Sequence, residues 1–149
     1  MTRRTVAALA TALALSAGPV LAGCSSSAPE LTVDGAFMPQ PVGDMAGGFL
    51  TVTNSGGTAD RLTSVTSSLS DDVQIHETKD RRMRQVTSLD VPPNGELRLE
   101  RGGDHLMFMD IKKQPQQGDT IDVELHFEKS EPIKVELPVE ERTHNPKQH

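Results

Sequence analysis

Ile121-Asp122-Val123-Glu124-Leu125-His126-Phe127 alternates apolar and polar residues without a break. That period of two places Ile121, Val123, Leu125 and Phe127 on one face of a strand and Asp122, Glu124 and His126 on the other. Six residues on, Ile133, Val135 and Leu137 repeat the pattern. Working outward, Leu31-Thr32-Val33 opens a strand, and Gly48 to Thr53 forms another before the turn residues Asn54-Ser55-Gly56-Gly57. Pro39, Pro41, Gly43 and Gly47 mark Phe37 to Gly47 as an irregular loop. Leu62 with Val65, and Val73 with Ile75, supply further apolar faces. Met83 to Leu89 reads as one strand, stopped by Pro92-Pro93-Asn94-Gly95, and Glu96 to Glu100 turns Leu97 and Leu99 inward. Arg101-Gly102-Gly103-Asp104 turns the chain into a strand from His105 to Ile111. The expectation is an all-β protein, an antiparallel β-sandwich or barrel of eight or nine short strands over residues 31–137. Pro138 to His149 reads as a flexible polar tail.

The first 23 residues are of another kind. Arg3 and Arg4 form a basic start, and Thr5 to Ala22 is an Ala- and Leu-rich run too short and light for a membrane span. The run closes on Leu21-Ala22-Gly23-Cys24, which looks like a bacterial lipobox. In that reading residues 1–23 are a lipoprotein signal peptide and Cys24 is lipidated. Two acyl chains on Cys24 would hold the protein stably on the outer face of the cell membrane. The other reading is an ordinary signal peptide that happens to contain a cysteine. Thr2-Arg3-Arg4-Thr5 hints at twin-arginine export, although paired arginines are common in such starts. Residues 24–30 then comprise the lipidated cysteine and a polar tether, Ser25 to Pro29.

Composition narrows the function. Cys24 is the one cysteine of 149 residues, so no disulfide supports the fold and a hydrophobic core must do so. The formal charge is -6, or -8 once Arg3 and Arg4 are left out, which is a poor match to nucleic acid. Trp and Tyr are absent, so bases and sugars find no stacking platform in them. No Ser/His/Asp arrangement, convincing carboxylate pair or phosphate-binding Gly loop points to an enzyme.

The chemistry-bearing residues cluster by parity. In an extended His105-Leu106-Met107-Phe108-Met109, Leu106 and Phe108 face the core while His105, Met107 and Met109 share the outer face. Val73 and Ile75 facing inward leave His76 outward beside Gln74. Met83 lies in Arg82-Met83-Arg84-Gln85, a polar setting for a thioether. Any one of these residues alone reads as ordinary surface or core. Together, imidazole and thioether make a soft ligand set that favours Cu(I). Met109 either reaches the metal or packs at the sheet edge, and Met38 and Met45 either cover the core or overhang the site. His126 reads as part of a solvated polar face. His144 and His149 could add a weak Cu(II) or zinc site.

These residues carry a resemblance to the periplasmic copper chaperones of the PCu(A)C type. Twenty-one residues separate Met83 from His105, and Met107 completes the His-x-Met. Gly102-Gly103-Asp104-His105-Leu106-Met107 resembles the family's Gly-Gly-x-His-hydrophobic-Met stretch. Ile75-His76-Glu77-Thr78 is similar to its first-ligand segment. Phe49 to Asn54 and Ala59-Asp60-Arg61-Leu62 also resemble family segments, so the likeness spans roughly Leu31 to Leu137. One departure is plain. Six residues lie between His76 and Met83 where the family has about ten, as a shortened surface hairpin would give.

The resemblance implies a cupredoxin-like sandwich with a surface Cu(I) site made by His76, Met83, His105 and Met107. It also implies delivery to a copper-accepting membrane protein, such as the copper centre of cytochrome c oxidase, with another copper chaperone as a further partner. A blue-copper electron carrier would need a thiolate, and Cys24 is committed to lipid. The rival readings are a copper buffer or resistance protein with no dedicated client, and a metal-free extracellular binding module.

Overall fold

The computed structural model describes residues 26–146, and among them there is no helix. Ten strands form: β1 (Leu31–Pro39), β2 (Ala46–Asn54), β3 (Asp60–Ser67), β4 (Asp72–Lys79), β5 (Arg82–Val86), β6 (Leu89–Val91), β7 (Gly95–Leu99), β8 (His105–Met109), β9 (Thr120–Phe127) and β10 (Ile133–Glu140). They follow the order β5-β4-β8-β2-β1-β10-β9-β3-β6, with β7 paired to β2. The path folds over on itself as a sandwich. Ile75, Leu106 and Phe108 from one layer meet Leu62, Val65, Val123 and Leu125 from the other in a shared core. The alternating residues of β9 behave as their sequence predicts, with Ile121, Val123 and Leu125 buried.

Packing between the layers is tight at Gly48. A β-carbon there would stand 2.9 Å from the Phe108 ring and 3.3 Å from Leu137. Both neighbours are fully buried and have nowhere to move.

Four details differ from the sequence reading. The expected loop from Phe37 to Gly47 begins later, because β1 continues to Pro39. Its register against β2 shifts between Asp34 and Phe37, where Gly35 has φ 61°, a conformation cheap for glycine and suited to a bulge. The expected strand Met83 to Leu89 is two strands in different layers, since β5 pairs with β4 and β6 with β3. The sheet is not wholly antiparallel: Met38 and Pro39 pair in parallel with Val139 and Glu140.

The last difference follows from that pairing. Pro138 to Glu140 belong to β10 rather than to a loose tail, and Val139 is buried. Beyond them, Arg101 donates to the carbonyls of Arg142 and His144, and the His144 ring meets Phe37 edge-on at 4.9 Å. The tether is also held at its inner end. The amide of Gly57 donates to Ser27 Oγ at 2.8 Å, and the amide of Ser55 to the Glu30 carbonyl at 2.9 Å. Cys24, the segment 1–23 and His149 lie outside the described residues.

Candidate metal centre

The outer face of β5-β4-β8-β2 gathers the four expected ligands. His76 and His105 are direct cross-strand partners, and Met107, two residues along β8, stands opposite Gln74. Met83 stands opposite Thr78, and Gln85 opposite His76. Directly paired residues and residues two apart share a face, so all four side chains emerge on one side. The short hairpin preserves this parity. Asp80 and Arg81 alone form its loop, with φ of 52° and 61°, the signature of a two-residue type I′ turn. A loop one residue longer or shorter would turn Met83 to the other face.

Each of the two imidazoles has one ring nitrogen engaged in a hydrogen bond. Asp72 is a carboxylate and can only accept, so Gln74 must direct its amide nitrogen to it, at 2.9 Å. This leaves Gln74 Oε1 toward His76 Nε2 at 2.9 Å, and that nitrogen must donate. His76 Nδ1 is therefore bare. His105 Nδ1 donates to the Gly103 carbonyl at 2.9 Å, and its Nε2 has no partner. Both bare nitrogens are buried without a hydrogen-bond partner. A buried polar atom left unpaired costs about 1–3 kcal/mol, and here the two fall on neighbouring rings whose centroids are 5.2 Å apart. Burial, then the neighbouring His105, lowers the His76 pKa below the usual imidazole value. The neutral ring is the form that ligates metal.

A latch fixes the hairpin over the following turn. The Thr78 amide donates to Asp104 Oδ1 at 3.0 Å, and its hydroxyl to the Gly103 carbonyl at 2.8 Å. Gly103 O thus serves both Thr78 and His105. Beside the imidazoles on the same face, the rings of Phe49 and His105 lie 6.4 Å apart, and Phe37 packs on Phe49 at 5.2 Å. Gly47, opposite Met107, leaves room for the Phe49 ring, which a β-carbon there would approach to 3.3 Å.

The sulfur side differs in character. Met83 is 65% exposed, whereas His105 is 6% exposed. The reading of His105 as a surface residue is therefore corrected: it shares the outer face, but His76 and Phe49 flank it. Met45, Met83, Met107 and His105 line one groove. Met45 overhangs it from the Gln40–Met45 loop, whereas Met38 is fully buried in the core. Met109 lies opposite Asp72 and does not line the groove. His126 bonds Thr66 and Glu124 on the distant polar face of β9, and His144 is engaged by Phe37.

Asp72 is absent from the sequence reading, and Thr78, Gly103 and Asp104 figure there only within turn or family-like stretches, with no supporting role. The 72-74-76-78 alternation on β4 was the available signal, since those residues share the ligand face. Among the described residues no three His, Cys, Asp or Glu side chains come together as a metal cluster. The donor set is imidazole and thioether, which suits a soft ion such as Cu(I) better than a hard dication.

The sequence pattern of the family described as LpqE-like, "Putative lipoprotein LpqE-like", matches residues 31–139. This chain belongs to the LpqE-like family. The LpqE-like chain is 30% identical over 102 residues to "Putative lipoprotein Lxx21020" of Leifsonia xyli subsp. xyli. That match covers 65% of this chain and 61% of the relative. Solved structures share the fold of this LpqE-like domain. The apo PCuAC domain of PmoF2 superposes with TM-score 0.70 at 23% identity, over 81% of this chain and 98% of that one. The copper-bound PCuAC domain from PmoF2 gives 0.68 at 24%, over 78% and 98%. The Cu(I) form of DR1885 from Deinococcus radiodurans gives 0.66 at 24%, over 82% and 85%. The sandwich is thus the PCuAC fold.

Proposed function

We propose that this LpqE-like protein is a lipid-anchored extracytoplasmic copper chaperone. It binds one Cu(I) through His76, Met83, His105 and Met107 and delivers it to a membrane cuproenzyme. The observation that carries the reading is the pair of bare, buried imidazole nitrogens on cross-strand partners, with two thioethers on the same face. The copper-bound PCuAC domain from PmoF2 and the Cu(I) form of DR1885, which share the fold, support it, as do the family and the relative described as putative lipoproteins. Four neutral donors leave the ion its positive charge, and among the described residues there is no thiolate to hold it extremely tightly. Such a site can load and also release. Transfer proceeds by ligand exchange, the acceptor's donors replacing the chaperone's in turn. The protein acts as a carrier, not an enzyme.

The proposed anchor at Cys24 holds donor and acceptor on one membrane and raises their effective concentration. The acceptor proposed is the copper centre of cytochrome c oxidase. The alternative, a copper buffer, shares the site but has no client. Loss of oxidase activity in a deletion strain, restored by the wild-type protein and not by a His105→Ala/Met107→Ala variant, separates the two.

The direct test is a Cu(I) titration of residues 25–149 against a colorimetric Cu(I) chelator, beside the same double variant. One tight equivalent, lost in the variant, is the expected result. Absence of competition by the wild type would overturn the reading in favour of a metal-free binding module.

A further inference from the structure

The large apolar side chains that stand exposed among the described residues are Val42 (71%), Met45 (49%) and Met83 (65%). They come from two separate segments, yet all three line the groove over the His/Met face. The same groove is lined by Arg81, Arg101 and Arg142 and by no aspartate or glutamate, in a chain whose net charge is -6. Among the described residues none of these three arginines forms an ion pair, whereas Arg61, Arg84, Arg98 and Lys112 each do. An apolar centre with an unneutralised cationic rim, on an otherwise acidic molecule, is the layout of a protein-docking face. Methionines suit such a centre because their flexible thioethers repack against different surfaces.

We propose that this groove docks a partner protein whose contact surface is acidic. The proposal rests on the chaperone reading for its purpose: a docked partner meets the copper ligands directly. Position argues for a protein and against the protein's own membrane. The chain enters β1 at Leu31, opposite Asn54, while the groove is built from Pro39 and Ala46 at the other end of β1 and β2. Eight strand steps of about 3.3 Å put the groove roughly 25 Å from the point where the tether joins. With Cys24 lipidated as proposed, the tether side would face the bilayer and the arginine rim would lie at the far end of the domain. Charge complementarity of this kind raises association rates and fixes orientation.

The test uses the full, metal-free chain reconstituted in phosphatidylcholine nanodiscs. Two fluorescein-labelled peptides, built around the same Met-x-x-Met core with Glu or Lys flanks, are titrated by anisotropy. The expected result is at least tenfold tighter binding of the Glu peptide at about 0.05 M salt, fading at about 0.3 M as screening shortens. An Arg81→Glu/Arg142→Glu variant should lose the preference, and Val42→Ser should weaken the Glu peptide severalfold. Arg101 is left intact because it holds the chain at Arg142 and His144. Equal binding of the two peptides, or a preference that survives the double variant, overturns the proposal. So does loss of Glu-peptide binding when phosphatidylglycerol is added to the nanodisc, which would give the face to anionic lipid. None of these readouts involves copper. A failed Cu(I) titration would instead refute the chaperone reading.

Discussion

Replacing His105 by Leu should leave the metal-free domain about as stable as the wild type, or more so, while removing its response to Cu(I). The wild type keeps a bare, buried Nε2 at this position, at a cost of about 1–3 kcal/mol. Leucine removes that cost at similar volume. What is lost is the bond from Nδ1 to Gly103 O, worth about 0.5–1.5 kcal/mol. That carbonyl keeps the Thr78 hydroxyl as donor, so no new unpaired group appears. The balance runs from about 0.5 kcal/mol of destabilisation to about 2.5 kcal/mol of stabilisation, the upper end being roughly 10 °C in midpoint for a domain of this size. In the wild type, Cu(I) at a hundred times its Kd should add about 2.7 kcal/mol; in the variant it should add nothing. Thermal melts by far-UV circular dichroism, with and without Cu(I) under reductant, read both quantities. If metal-free His105→Leu loses more than about 2 kcal/mol, the histidine is a structural residue and the ligand argument fails.

Further expectations follow from single features. Gln74→Leu removes the acceptor that fixes the His76 tautomer; Cu(I) affinity should fall about 10–100-fold, and an unchanged chelator competition would refute the tautomer argument. Inserting one glycine between Asp80 and Arg81 should reverse the side on which Met83 emerges and weaken Cu(I) binding while β4 and β8 stay paired, readable by the same competition and by amide exchange. Gly48→Ala brings a β-carbon to 2.9 Å from Phe108 and should cost about 1–3 kcal/mol; an unshifted urea midpoint would contradict this.

Asp60 provides the acid limb. Burial raises its pKa, but bonds from the Ser130 hydroxyl and the amides of Arg61, Lys129 and Ser130 outweigh this and hold it below the usual carboxylate value. The unfolded chain then binds the proton more readily, at about pH 3.9. The stabilisation is complete above that pH and is lost as pH falls toward the folded value. Urea midpoints between pH 6 and 3 should fall in the wild type and stay flatter in Asp60→Asn.

Much of this was visible in the sequence because strand parity is a local property. The alternation in 121–127 announced a half-buried strand, and the same parity put His76, His105 and Met107 on a common face before any partner strand was known. What could not be read was which strands are neighbours. Met83 to Leu89 looks continuous, yet β5 and β6 belong to different layers, and alternation does not say which layer a strand joins. Pro138 looked like a terminator. It falls where β10 has only β9 beside it, one step before β1 joins at Val139, and an edge position tolerates proline. The burial of His105 depends on Phe49 and His76 arriving from other strands, which no local pattern encodes. The Gln74 orientation follows from Asp72, whose role emerges only through a chain of donors and acceptors.

The contrast between the two halves of the proposed ligand set has a kinetic consequence. The histidines are held by hydrogen bonds and burial before any ion arrives, whereas Met83 extends into solvent on a side chain with three free torsions. Fixing such a chain costs on the order of 1.5–2 kcal/mol of rotational freedom, so Met83 would be the first donor of the proposed site to let go. An ion on this face would stay hinged to two nitrogens while its sulfur side opened, never set adrift in water. The opening side is also the side from which another molecule's donors could come, which would give the proposed handover a direction.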